Sequence, residues 1–234
     1  MKFRFNGMTA AALFGLLALV GAPRAYATAE LRISDGTNSV DVFDNNSSAC
    51  VAVGAVTGCT DANAGLNQVT YVGTIGTWTL NVSTGSSHGA SVGTDLDLNS
   101  ANSTTAASTL TILFSDSGFT SGAGGRTLSV GGTLQGAMSS VSFGAWEGAT
   151  LFDTAPADRI GSILTFTTSP FAGTSGGPGA GADLTERAIL TATGAGSTSF
   201  NFALAPVPEP ASVMLFGGML LATVGAIRRK ARRA

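Results

Sequence analysis

Few side chains in this chain can do chemistry. His88 is the single histidine, and Cys50 and Cys59 are the two cysteines. His88 lies in the run Thr84-Gly-Ser-Ser-His-Gly-Ala90, where an imidazole could serve a serine as general base. A serine, a histidine and an acid can be picked from almost any chain of this composition, so the run reads as an exposed loop histidine. Cys50 and Cys59 enclose eight residues, VAVGAVTG. Metal binding by the pair would need further ligands nearby, and no histidine adjoins them. A disulfide closing a small loop is the expectation in an exported chain, because thiols pair in oxidising compartments. The acids Asp35, Asp41, Asp44, Asp95, Asp97 and Asp116 are interleaved with Asn and Gly. Hard oxygen ligands of this kind suit Ca²⁺, and Asp95, Asp97 and Asn99 at alternate positions would share one strand face. No EF-hand loop accompanies them, and solvating acids and Asx turns account for the same residues. No other cofactor is suggested. Trp78, Trp146 and Tyr71 could form a sugar-stacking platform; at strand spacing they could equally fill a core.

The charge distribution narrows the functions further. The 234 residues carry 12 Lys+Arg and 14 Asp+Glu, a formal net charge of −2. All 14 acids lie between Thr28 and Pro210, where the only bases are Arg32, Arg126, Arg159 and Arg187, so this body carries 4 − 14 = −10 and no lysine. A body this acidic lacks the basic footprint that releases counterions from a phosphate backbone, so nucleic acid is not an expected partner. With so few nucleophiles and general bases, a non-enzymatic role is expected.

The two ends read as addresses. Residues 1–27 begin with Lys2 and Arg4, continue through an apolar stretch and close on Ala25-Tyr26-Ala27. A basic start, a short apolar core and a small-x-small site make a secretory signal peptide, cleaved after Ala27 with Ala25 in the recognition position. At the other end Pro206-Val207-Pro208-Glu209-Pro210 precedes seventeen uncharged residues, Ala211 to Ile227, and then Arg228, Arg229, Lys230, Arg232 and Arg233. Seventeen residues of helix span about 26 Å, enough for one crossing with snorkelling arginines. The basic cluster would hold that end in the cytoplasm and place the body on the far side of the membrane. Two prolines around a carboxylate keep the preceding segment extended and unable to join the helix.

Three elements in this order, Pro208-Glu209-Pro210, the apolar segment 211–227 and the basic tail 228–234, resemble the PEP-CTERM sorting signal of Gram-negative bacteria. The resemblance covers roughly the last thirty residues. It implies that Pro208, Glu209 and Pro210 are recognised by exosortase. It further implies secretory export, transient anchoring in the inner membrane, and delivery of the body to the cell surface or the extracellular space. The family's association with exopolysaccharide and biofilm makes extracellular polysaccharide a second expected partner.

Between the ends, residues 28–205 read as one domain. Short period-2 alternations recur, bounded by Gly, Asn, Asp and Ser: Ser39–Phe43, Thr77–Val82, Thr109–Phe114, Ser140–Phe143 and Ser199–Leu204. Weaker examples are Leu31–Ser34, Gln68–Gly73, Asp95–Asn99, Arg126–Val130, Ile160–Thr167 and Glu186–Thr193. About ten or eleven strands with no amphipathic helix predict an all-β fold, a single β-sandwich of which the jelly roll is one form. The Gly/Ser/Pro run Ser169–Gly181 is expected to be a loop. The expected function is that of an exported, surface-sorted matrix or biofilm protein, structural or interactive. A carbohydrate-binding module, using exposed Trp78 or Trp146, and a secreted hydrolase, using His88 or a pair of carboxylates, stand as alternatives.

Overall fold

The computed structural model describes residues 29–44, 50–63, 65–88, 96–119, 125–179 and 181–207. The signal peptide with Ala25 and Ala27, the sorting motif Pro208-Glu209-Pro210, the segment 211–227, the basic tail with Arg228, Arg229, Lys230, Arg232 and Arg233, and Asp95 lie outside these residues.

The alternation produces twelve strands: β1 (Glu30–Ser34), β2 (Ser39–Phe43), β3 (Cys50–Val53), β4 (Val56–Thr57), β5 (Gln68–Ile75), β6 (Trp78–Ser87), β7 (Leu96–Thr104), β8 (Ser108–Asp116), β9 (Arg126–Gly148), β10 (Arg159–Phe166), β11 (Phe171–Gly177) and β12 (Asp183–Pro206). Every pairing is antiparallel. The described residues contain no α-helix and one 3-10 turn, Pro156–Asp158.

β9 and β12 form the spine. They pair along their whole length, from Asp183↔Gly148 to Pro206↔Arg126, with register shifts between Thr191 and Gly196. Gly136, at φ +67°, lies opposite Gly196 there. Glycine tolerates the left-handed backbone that an ordinary residue resists, and the bulge bends both strands at this point. Each half of the spine then heads its own layer. The half of β12 from Leu184 to Ala192 pairs with β8, and the half from Gly196 to Leu204 pairs with β7. β10 flanks the Val141–Trp146 part of β9, and β11 the Arg126–Gly132 part. The first layer therefore runs β3-β2-β1-β8-β12-β9-β10 and the second β4-β5-β6-β7-β12-β9-β11. Two layers with a shared apolar interior make the expected β-sandwich.

Inward positions follow the pleat. Leu31, Ile33, Val40, Val42, Leu110, Ile112 and Phe114 face inward from the first layer, and Val69, Tyr71, Ile75, Leu96, Leu98, Leu128 and Leu204 from the second; all are buried. A bulge between Leu80 and Val82 moves the inward parity of β6 from even to odd numbers, so that Trp78 and Leu80 are followed inside by Gly85. A Cβ at Gly85 would strike the Phe114 ring, which shows how closely the layers approach. Phe143 of the first layer meets Phe171, Phe200 and Phe202 of the second at centroid distances of 5.8, 5.0 and 5.4 Å. The pairs with Phe200 and Phe202 are edge-to-face, an arrangement that adds about 0.5–1.5 kcal/mol each beyond area burial.

At the opposite edge the chain crosses from β3 of the first layer to β4 of the second, and Cys50 and Cys59 are disulfide-bonded with a Cα–Cα distance of 5.5 Å. The bond expected from the sequence thus ties together the edges of the two layers. The segment Ser169–Gly181, expected to be a loop, contains β11 instead. Its N–H and C=O groups are paired by β9, a distant stretch of chain that no local pattern announces.

Candidate functional site

The outward face of the second layer is a continuous field of small polar side chains. One row across the strands reads Gln68, Ser86, Asp97, Ala203, Ser129 and Thr174; the next reads Thr70, Thr84, Asn99, Asn201, Gly131 and Ala172. Further along lie Thr79, Ser103, Ser197 and Gln135. Cross-strand neighbours share hydrogen bonds, Thr70 Oγ1 with Thr84 Oγ1 at 3.0 Å and Thr133 Oγ1 with Ser199 Oγ at 3.1 Å, and along β7 Asn99 Nδ2 donates to Asp97 Oδ1 at 3.2 Å. A shallow groove of about 490 Å³ crosses β9, β11 and β12 and is lined by Ser129, Gly131, Ala172, Thr174 and Asn201 among others. Glycine and alanine on these strands leave the groove its depth. The face offers hydroxyl and amide groups able both to donate and to accept, the complement of a polyhydroxylated ligand.

Asp97 and Asn99 thus share a face as the sequence suggested, but they bond to each other. Burial pushes the Asp97 carboxyl up, while the Asn99 amide and the nearby His88 pull it down. Among the described residues no three His, Cys, Asp or Glu side chains are grouped so as to hold a metal ion.

The aromatic platform is corrected. Trp78, Tyr71 and Trp146 have relative exposures of 0, 0 and 2%. Trp78 and Tyr71 point into the core, and the Tyr71 hydroxyl donates to the Thr57 carbonyl at 2.6 Å, which also fixes β4 against β5. Trp146 points outward from the first layer yet is covered. Its ring lies over Gly144, where a Cβ would collide with the indole and with Ile163, and the Arg187 guanidinium stacks on it at 4.4 Å. No indole is free to stack on a sugar.

His88 is exposed just beyond β6. Gly173-Thr-Ser175-Gly-Gly177 has the Gly-x-Ser-x-Gly spacing of a nucleophile elbow, a pattern the composition had masked. Here it is a stretch of extended edge strand, not a strand-to-helix turn, and Ser175 Oγ accepts the Ser162 N–H at 2.7 Å. Ser87, Leu96, Leu204, Leu128 and Ser175 lie on one row. Four strand spacings, about 19 Å, therefore separate Ser175 from the strand that ends beside His88. The two do not form a catalytic pair.

Among the described residues, four ionisable groups are buried between the layers. Arg126 Nε donates to Glu147 Oε2 at 2.9 Å, with side-chain exposures of 3 and 0%. Glu186, on the inward parity of β12, has no hydrogen-bond partner for either carboxylate oxygen, and burial holds its carboxyl well above the usual range. Asp116, at the end of β8, accepts the Ser117 N–H at 2.7 Å. Burial pushes its carboxyl up to about 6, with the Asp44 and Asp183 carboxylates adding to the rise. These residues belong to the interior and not to an open cleft. The sequence did carry a signal for Glu186, since it shares parity with Leu184, Ala188 and Leu190.

No family model matches this chain, and no curated protein matches it. Among solved structures it is similar to TmCBM61 in complex with β-1,4-galactotriose, with 5% identity, a TM-score of 0.35, and coverage of 50% of this chain and 74% of that one. The family 11 carbohydrate-binding module from Clostridium thermocellum, in complex with a β-1,3-1,4-mixed-linked tetrasaccharide, gives 12% identity, a TM-score of 0.34, and coverage of 63 and 92%. The CBM22-1 xylan-binding domain from Paenibacillus barcinonensis Xyn10C gives 11%, 0.30, and 62 and 88%. All three scores lie below the level at which two chains have the same fold.

Proposed function

We propose that this protein is a non-enzymatic, exported β-sandwich that binds neutral polysaccharide across the outward face of its second layer. The observation that carries the reading is the row-by-row field of Ser, Thr, Asn and Gln side chains that ends in the groove beside Asn201 and Thr174. A sugar hydroxyl both donates and accepts, as these side chains do, and each neutral hydrogen bond contributes about 0.5–1.5 kcal/mol net. With Trp78, Trp146 and Tyr71 buried, binding depends on many such bonds spread along a polymer. The affinity for a short oligosaccharide is accordingly low and that for a long chain higher.

Delivery is the second half of the proposal. The tail from Pro206 onward acts as a sorting signal read by exosortase at Pro208-Glu209-Pro210, and it brings the sandwich to the cell surface or extracellular matrix. Support comes from the order of the three sequence elements and from the export signal at the other end. It accords with a disulfide in the body, a bond that persists in oxidising compartments.

Affinity electrophoresis through gels containing galactan, xylan or mixed-linkage glucan tests the binding. The wild-type body is retarded by at least one of them, and Asn99→Ala with Asn201→Ala removes most of the retardation without unfolding. Equal migration in all gels, or retardation unaffected by the double variant, overturns the reading. For the tail, Glu209→Ala leaves the body folded but retained in the inner membrane; unchanged delivery refutes the sorting role.

A further inference from the structure

Three of the four arginines of the body, Arg32, Arg159 and Arg187, lie on the outward face of the first layer. Their bonding differs. Arg32 makes a two-point pair with Asp41, Nε to Oδ1 at 2.9 Å and Nη2 to Oδ2 at 2.8 Å, and stacks on Phe152 at 4.2 Å. Arg159 spends only its Nε, on the Gly161 carbonyl at 3.0 Å. Arg187 has no hydrogen-bond or carboxylate partner among the described residues; its guanidinium carbon lies over the Trp146 ring, 4.4 Å from the centroid.

The local fold explains why Arg187 is held there. Gly144 is its cross-strand partner, and the absence of a side chain at 144 lets the Trp146 ring lie down on the sheet beneath the guanidinium. Arg159 pairs with Trp146 from the other side. The two cations therefore bracket one buried indole. A half-buried guanidinium held over an aromatic face is a preorganised fork, with unspent donors and little rotamer freedom left to lose on binding. Burial lowers the Arg187 pKa, the sign of a cation short of a counter-charge.

Two further features surround the fork. Phe152 has φ 60°, an unusual backbone for a bulky residue, and its N–H donates to Ser115 Oγ at 3.1 Å. Such strain persists only where neighbours impose it, and here it folds residues 149–155 onto the same outward face. On the other side of Gly144 lie Ser142 and Thr165, whose hydroxyls are 2.8 Å apart and exposed. Residues two apart on a strand are separated by about 7 Å, the span of one sugar ring with its substituents.

We infer that Arg187 and Arg159 form a binding site for the carboxylate of a uronic acid residue in an acidic oligosaccharide, with Ser142 and Thr165 meeting its hydroxyls. The body carries a net charge of −10, from 4 bases and 14 acids between Thr28 and Pro210, so general attraction cannot hold a polyanion to it. A carboxylate that binds here does so because of the fork.

This site is on the layer opposite the hydroxyl field, and one experiment separates the two. Tetragalacturonate and a neutral galactotetraose are titrated into the folded protein in 150 mM salt, read by calorimetry and by tryptophan fluorescence, to which Trp146 beneath the fork contributes beside the core Trp78. The uronate binds and perturbs the fluorescence, and the neutral sugar leaves the fluorescence unchanged. Arg187→Gln weakens uronate binding by about tenfold or more, the scale of one charge-assisted hydrogen bond. Arg187→Lys, which keeps the charge and loses the fork, falls between. Arg159→Gln gives a second, exposed-site loss in case Arg187→Gln disturbs Trp146. Retardation by neutral polysaccharide through Asn99 and Asn201 is unchanged in all three. No uronate binding by the wild type, an equal fluorescence change with the neutral sugar, or uronate affinity unchanged in the Arg187 and Arg159 variants overturns the inference.

Discussion

Asp116→Asn is expected to stabilise the protein at neutral pH and to lose that advantage in acid. The carboxyl ordinarily titrates at 3.8 and is pushed up to about 6 in the folded chain by burial. The difference, about 2 pH units at about 1.4 kcal/mol each, amounts to about 3 kcal/mol of lost stability once the group is ionised. Below 3.8 the group is protonated folded and unfolded, and the fold loses nothing. Between 3.8 and about 6 the unfolded chain releases its proton while the folded chain keeps it, so stability falls as pH rises. Above that window the loss is complete. Asparagine removes the titration and keeps an oxygen to accept the Ser117 N–H. Its amide must find an acceptor in a buried site, which offsets part of the gain by about 1 kcal/mol. The diagnostic quantity is therefore the change with pH in the difference between variant and wild type, measured by urea denaturation at pH 4 and pH 8. The variant should gain about 2–3 kcal/mol relative to wild type between those values. Parallel stability curves for the two proteins would refute the reasoning, because they would mean that Asp116 titrates alike in both states.

Further predictions follow from the same interior. Glu186→Gln should also gain stability over wild type as pH rises from 4 to 8, since burial raises the folded carboxyl and the wild type loses stability once the pH exceeds the unfolded value; a fall relative to wild type at pH 8 in denaturant titrations would contradict this. Arg126→Ala leaves Glu147 buried without its cation and should destabilise by about 3–5 kcal/mol at neutral pH, whereas Arg126→Met with Glu147→Leu should cost far less. Reducing Cys50–Cys59, or replacing both with Ser, should cost about 2–3 kcal/mol from the small closed loop and free the β3–β4 corner to faster amide exchange. Gly85→Ala, which drives a Cβ into the Phe114 ring, should cost about 1–3 kcal/mol in a thermal or chemical melt.

The strands with alternating β-branched and apolar residues were legible because period-2 patterning reports which face is buried. Ser39–Phe43 and Thr109–Phe114 appear in the structure almost as read. The spine was not. Arg126–Val130 and Ser140–Phe143 looked like two strands, as did Glu186–Thr193 and Ser199–Leu204, because glycines interrupt each pattern at the bend. Those glycines let one strand serve two layers. β11 was hidden for a related reason: Gly173, Gly176 and Gly177 lower strand propensity, while the pairing that makes them a strand comes from β9. The indoles show a different limit. Parity places Trp146 on the outside, yet Gly144, Ile163 and Arg187 together cover it, a matter of three residues that are distant from one another in sequence or follow no period. For the hydroxyl field, alternation marks the outward positions of each strand, but only the register reveals that Asn99, Asn201 and Ser129 lie on one face.

The most direct test of polysaccharide binding is a map of backbone amide shifts on adding a soluble neutral galactan or mixed-linkage glucan to the isotopically labelled body. The account predicts perturbations along Thr84, Asn99, Asn201 and Thr174, with the first layer silent. Shifts confined to the first layer, or none at saturating glycan, would contradict it.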